Sequence, residues 1–453
     1  VSRGLGDVYK RQPQKFTLHA VTLERLSMKI SHLITATCLS TLCSLFASTT
    51  LGSELDAYGG LTEIVGEGTG FFHTQKIDGR WWLVTPEGHG FFGVGISHPV
   101  TGSSRAAVTF AYDGDQEAWM RDGIGKMREL GYNCVWSGPY SQCRTRAGFV
   151  DTNLAERVYR EMKIPHAIQV PLIKHAVELA PGEKRPDVFS SEYRKFVVDK
   201  VAEYVRANRD NPWVLGYYYG FGCFMRKDIW VNETLAREPG SPGRQYFSGI
   251  LEHRYNGDIG LFNRVYQTTY VSFDELRRGE VLSYPQWIRG VLSGYADPPN
   301  REGADRLLAD FEEVFEELAV QVYKVAFDEI RRHDKNHMIL GGYVKDMTYP
   351  KRTWVRLAPY VDVLAPQDLS SKNPVRAHIE ATGKPALLSD QEFGNVYPLS
   401  IQDTPFTPGS VPEHVDRRVL YDLEAARIAR DPGIIGVSFC ACLFDQSHWN
   451  STY

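Results

Sequence analysis

The sequence predicts a (β/α)8 TIM barrel, an α/β fold, preceded by a small β region. Three observations lead there. Eight short apolar runs alternate with stretches of helical periodicity, the pattern of parallel strands joined by crossover helices. The number of units matches a closed barrel. No Gly-rich phosphate loop follows the first run, which argues against a doubly wound nucleotide-binding sheet.

The elements follow in order. "KIDGRWWLV" carries Asp78-Gly79 as a two-residue hairpin turn, and "TPEGHG" is a second turn, so residues 56–89 form an N-terminal β-hairpin region. The first four barrel strands are predicted at 90–98, 132–139, 166–172 and 213–222. The last four are predicted at 337–344, 360–367, 385–394 and 434–446. Between them, helices are predicted over 116–130, 152–162 and 191–207, and later over 351–358, 373–382 and 413–430. In the first of these Trp119, Ile124, Met127 and Leu130 share one face. A large helical insertion, about 223–305, follows the fourth strand, with helical segments near 243–267. A long amphipathic helix, about Gly303 to His333, returns the chain to the fifth strand. "YDGDQE" (112–117) reads as a polar loop, with only a faint likeness to a calcium loop.

Both ends of the chain carry expectations of their own. "VSRGLGDVYKRQ" resembles translated sequencing adapter of the kind found in metagenomic reads, so residues 1–27 are set aside as an upstream artefact. From Met28, a basic Lys29, an apolar stretch from Leu33 to Ala47 and the small residues that follow predict a signal peptide over 28–52. That stretch is shorter than the ~20 apolar residues a membrane span takes. The mature form is therefore expected to be secreted or periplasmic, with no membrane segment. At the other end, Tyr453 comes soon after the eighth strand with no helix to cover it, and the expectation is a barrel (90–453) truncated at its C-terminus, a gene fragment.

Composition excludes several classes. The net charge of −4 gives no electrostatic case for nucleic acid. Of seven cysteines, Cys38 and Cys43 fall in the signal peptide, and the other five show neither zinc spacing nor a disulfide framework. There is no G-x-S-x-G elbow. No cofactor and no metal are expected.

Barrel chemistry sits at the C-terminal ends of the strands. Those ends hold His98, Trp136, Gln169, and Tyr219 with Gly220–Phe224. The later strands add Lys345, Asp346, Gln367, Asp368, Asp390, Gln391, Glu392, Asp445 and Gln446, with His448 and Trp449 just beyond. Carboxylates among amides and aromatics are what glycoside hydrolysis needs: one carboxyl attacks or activates water, another donates a proton, and flat rings stack on sugars. Trp136, Trp230 and Trp449 are candidate sugar platforms. His98, His448, Gln169, Gln367 and Gln446 are candidate partners for hydroxyls, and Asp445 a candidate orienting group.

Several stretches carry a resemblance. "GRWWLVTPEGHGFFGVGISH" resembles the start of the barrel in agarase-like glycoside hydrolases, and "NPWVLGYYY" their fourth strand. "YNGDIGLFNRVYQTTYVSFDEL" (255–276) is similar to a helical insertion of agarases and some galactosidases. "KPALLSDQEFG" resembles the seventh strand of their retaining clan, and "IGVSFCACLFDQ" the eighth. The resemblance runs from Phe71 to Trp449. It implies that Glu392 is the nucleophile, that His98 occupies a family position, and that the substrate is a galactan-type polysaccharide such as agar. One departure stands out. The family pattern ends the fourth strand in Asn-Glu, with Glu the acid/base, and here Phe221 and Gly222 hold those places. Gly222 has no proton to give. Asp346, Asp228 and Glu233 are the candidate replacements; Asp390 is expected to be structural. The alternative is a catalytically inactive barrel that binds polysaccharide.

Overall fold

A computed structural model describes residues 54–97, 105–136, 152–173, 185–220, 227–279, 287–292, 296–300, 303–345, 349–367, 375–391, 426 and 428–440. The predicted signal peptide, most of the predicted helix over 413–430 and the residues after 440 lie outside these.

The chain opens with a four-stranded antiparallel sheet rather than a lone hairpin. Its strands are β1 (Leu61–Val65), β2 (His73–Ile77), β3 (Arg80–Val84) and β4 (His89–Phe91), in the order β1-β4-β3-β2. The β2–β3 turn is the predicted one: Asp78 and Gly79 both take positive φ, 49° and 83°, as a type I′ turn requires. The predicted first barrel strand, 90–98, is in fact two strands in two sheets. Its start belongs to β4, and β5 (Gly93–Ser97) enters the barrel.

The barrel strands are all parallel. After β5 come β6 (Cys134–Val135), β7 (His166–Gln169) and β8 (Val214–Tyr218), each paired with the one before. The fifth barrel strand is bent into β9 (Met338–Gly341) and β10 (Val344–Lys345). Then follow β11 (Pro366–Gln367), β12 (Ala386–Gln391) and β13 (Ile434–Cys440), which pairs back onto β5. The bend closes the ring: β9 pairs with β8 and β10 with β11. Gly341, at φ 70°, makes the bend, a conformation glycine adopts without penalty.

Helices cover the strands: α1 (Arg105–Tyr112), α2 (Gln116–Glu129), α3 (Thr152–Glu161) and α4 (Ser191–Asn208) come first. The helix α1 is not among those predicted from periodicity. Asp115, from the polar loop, caps α2 by accepting the N–H groups of Glu117 and Ala118. Leu130 lies past the end of α2 and is 66% exposed, so the predicted apolar face stops at Met127. The insertion is helical as expected, with α5 (Lys227–Leu235), α6 (Pro242–Arg254), α7 (Ile259–Tyr266), α8 (Phe273–Arg278) and α9 (Trp287–Leu292). It packs on α10 (Ala304–His333), whose stripe of Leu307, Phe311, Val314, Leu318, Val322, Ala326 and Ile330 is buried. The last two helices are α11 (Lys351–Leu357) and α12 (Val375–Thr382).

The N-terminal sheet plugs one end of the barrel. Trp81 N–H donates to Pro432 O at 2.7 Å, Tyr58 stacks at 4.4 Å on Trp213, and Phe71 meets His337 at 4.9 Å. Each of these partners immediately precedes a barrel strand, so the plug covers the N-terminal ends. Phe72, Leu83 and Phe91 from the sheet join Leu215, Leu340, Leu387 and Ile435 in the lumen core.

Two groups beside the plug set acid sensitivity. Asp334 is buried; burial alone would raise its carboxyl, but bonds from His337 and Tyr217 hold it down at about 2. His166 is driven down to about 4, first by burial, against the bond from its ring to Ile164 O and with a contribution from nearby positive charge at His337 and Arg160. The folded state therefore keeps His166 neutral, whereas the unfolded chain binds its proton near 6.5. Stability from this group is complete above pH 6.5 and falls as the pH drops toward 4, by up to about 3 kcal/mol. Urea midpoints measured across that range should slope for the native chain and slope less for His166→Gln. Equal slopes would exclude the effect.

Candidate active site

The C-terminal strand ends converge at the end of the barrel opposite the plug. Their floor is built from rings, amides and hydroxyls. Tyr218 on β8 and Tyr343, between β9 and β10, stack in parallel at 4.5 Å and 10°. The Tyr343 hydroxyl donates to Trp136 O at 2.6 Å, and the Tyr218 hydroxyl reaches Gln169 Oε1 at 3.4 Å. Gln391 closes β12 and donates to Ser389 O at 2.9 Å, while Ser389 Oγ donates to Ala365 O at 3.1 Å. On the far side Ser97 and Ser438 share a hydrogen bond of 2.6 Å. All these side chains are buried.

Trp136 lies in this floor because three glycines leave it room. A Cβ on Gly93 or Gly95 would come within 2.5–2.6 Å of the indole, and one on Gly436 within 3.1 Å. Side-chain parity on β8 has a local cause. Val214 pairs with His166 and Gly216 with Ala167, so Leu215 is an extra residue in the strand, a β-bulge. Downstream of it Tyr218 faces the lumen, while Tyr217 and Tyr219 face the helices.

Several predicted site residues are placed differently from expectation. Gln169 and Gln367 do reach the floor, 2% and 7% exposed. Trp136 is fully buried, with its Nε1–H on Gly93 O at 3.4 Å, so it offers no open face to a sugar. Tyr219 packs edge-on against Tyr323 at 5.4 Å in the helix layer, away from the mouth. Trp230 is 3% exposed, with the Arg185 guanidinium 5.2 Å over its ring, and it serves packing of the insertion. Glu233 is engaged by Arg185: one oxygen accepts the Arg185 backbone N–H at 3.0 Å and the other accepts Nη1–H at 2.8 Å. Sequence reasoning missed Tyr343 and Tyr218 as floor residues. The signal was present in the Gly341-Gly342 pair that interrupts the fifth strand. Glu392, Asp346, His98, Asp445, Gln446, His448 and Trp449 lie outside the described residues, as do the side chains of Asp228 and Asp390.

Among the described residues, one group of side chains is close enough to hold a cation: Asp56, Glu87 and His89, with ligand atoms within 4.8 Å of one another. They belong to the plug, not the mouth. Asp56 is already saturated, accepting from the N–H groups of Tyr58 and Gly60, from Thr85 and from His89.

No protein-family model matches the chain. Among curated proteins it is similar to Beta-agarase B of Vibrio sp. (strain JT0107), 21% identical in an alignment 396 positions long that covers 73% of this chain and 40% of that protein. Its fold is similar to the crystal structure of an agarase, with a TM-score of 0.61 and 17% identity over 92% of this chain and 65% of that one. It is also similar to the structure of an exo-beta-agarase, with a TM-score of 0.60 and 18% identity over 85% of this chain and 62% of that one. The chain thus spans well under half the length of the curated relative and about two thirds of each solved one. At these identities the likeness establishes the fold, the (β/α)8 barrel with its N-terminal sheet.

The Arg185–Glu233 pair gives a test. Arg185 is 4% exposed, and removing the partner of a buried charge costs roughly 3–5 kcal/mol. Glu233→Gln is expected to lower stability by that amount and to leave the shape of any pH–rate profile intact. Loss of the alkaline limb of that profile would return Glu233 to the role of proton donor.

Proposed function

We propose that this chain is the barrel of a glycoside hydrolase that cleaves a galactan-type polysaccharide such as agar. The observation that supports it best is the run of correspondence with a protein named beta-agarase, which takes in 73% of the chain and agrees with a fold similar to that of agarase structures. The nucleophile in this reading is Glu392. It follows directly on Gln391, the last residue of β12, whose amide is anchored in the floor. The proton donor is Asp346, directly after Lys345 at the end of β10, or Asp228 in α5. A carboxyl separation of about 5–5.5 Å makes the reaction retaining, and about 6.5–9.5 Å makes it inverting. The signal-peptide pattern over 28–52 supports a secreted or periplasmic enzyme.

A second reading has a specific observation in its favour. Phe221 and Gly222 stand where the family pattern has Asn-Glu, which fits a barrel that binds polysaccharide without cleaving it. Release of reducing ends from agar and agar oligosaccharides separates the two. Glu392→Gln is expected to reduce turnover by on the order of 10³-fold or more while circular dichroism and melting temperature stay unchanged. Binding with no turnover by the native chain, across a panel of polysaccharides, leaves the second reading in place.

A further inference from the structure

The second and fifth barrel strands are not neighbours in the ring, with β7 and β8 between them on one side. A single side chain spans the lumen between them. Tyr343 leaves the bend of the fifth strand, lies flat on Tyr218 of the fourth, and donates its hydroxyl proton to the carbonyl of Trp136 at the end of the second, at 2.6 Å. We propose that Tyr343 is a positioning residue that sets the width of the mouth and so the spacing of the groups the strand ends present to substrate. This inference rests on the glycosidase reading.

Four observations carry it. Tyr343 is locked along its own backbone: its N–H donates to Gly220 O at 2.9 Å, and Tyr219 N–H donates to Gly341 O at 2.8 Å. The bend that aims Tyr343 inward is held from outside the barrel. Tyr323 of α10 accepts the Gly342 N–H at 2.9 Å, and a Cβ on Gly341 would lie 2.7 Å from the Tyr323 ring. The acceptor end is equally fixed, because the Trp136 indole fills the slot left by Gly93, Gly95 and Gly436. Finally, Trp136, Tyr218 and Tyr343 are all 0% exposed, so the hydrogen bond has no competing water and its loss is not made good by solvent. The brace therefore ties Trp136 and Gly220 to Tyr343, two residues before the end of β10. These lie at or next to the points from which the second, fourth and fifth strands deliver their loops to the mouth.

Tyr343→Phe keeps the stack and removes only the hydroxyl. Two readouts on the full chain test the proposal. Amide hydrogen exchange in the peptide that contains Cys134–Trp136 should speed up, and this does not depend on any activity. On agar oligosaccharides kcat should fall roughly ten- to a hundredfold, the scale expected from a displacement of about 1 Å at the reacting groups, with a smaller change in KM and a melting temperature close to native. Unchanged exchange at Cys134–Trp136 overturns the proposal. So does a kcat that stays native per folded molecule. If the native chain turns over no polysaccharide, the glycosidase reading fails and the exchange result alone decides whether the brace exists. Should Tyr343→Phe not fold, Tyr323→Phe, which changes no lumen side chain and removes the acceptor of the Gly342 N–H, is read in the same two ways with the same outcomes.

Discussion

The lumen of this barrel is filled by an indole that fits only because three strand positions around it lack a side chain. Gly93 and Gly95 on β5 and Gly436 on β13 border the Trp136 ring. Barrel interiors pack like crystals, so a large ring on one strand must be matched by small residues on its neighbours. That match fixes which way β5, β6 and β13 face one another.

The second constraint is closure. A ring of eight strands has no free edge, but the join must accommodate tilt, and here the fifth strand takes it up by bending between β9 and β10. The bend is supported by α10, the same helix that carries the insertion. Asp310 of α10 is fully buried and accepts from Arg254, Tyr255 and Tyr266 of the insertion. Tyr323, farther along the same helix, accepts from the bend. One rigid helix thus connects the insertion to the strand that closes the barrel.

Most of the architecture was legible because its signal is periodic. Apolar runs ended by turn chemistry located all eight strands, and the stripe on α10 was clear over its full length. What escaped depended on single-residue events. The Leu215 bulge reverses side-chain parity along β8, so Tyr219, which a regular strand would leave near the mouth, faces the helices and Tyr218 takes the lumen. The run at 90–98 holds two strands because the chain crosses from the plug to the barrel at Phe92, and hydrophobicity alone does not mark such a crossing. Trp230 had the composition of a sugar platform. Whether an indole stacks on ligand or on Arg185 depends on which helix lies over it, and no local pattern encodes that. The floor amides Gln169 and Gln367 were legible because a polar residue at the end of an apolar strand has few other uses.

The character of the floor bears on the proton donor that the glycosidase reading requires. Among the described floor residues every polar group is an amide, a hydroxyl or a backbone carbonyl, and the remainder are rings. On a surface of this kind, with no cation beside it, burial would raise the pKa of a carboxyl, which is the condition for a proton donor at neutral pH. A Lys- or Arg-lined floor would do the reverse and keep any nearby carboxyl charged. Among the described residues of the insertion, Arg185 is paired with Glu233 and Lys227 with Glu312. Under the glycosidase reading, the setting that a proton donor needs would then not depend on which strand delivers the carboxyl.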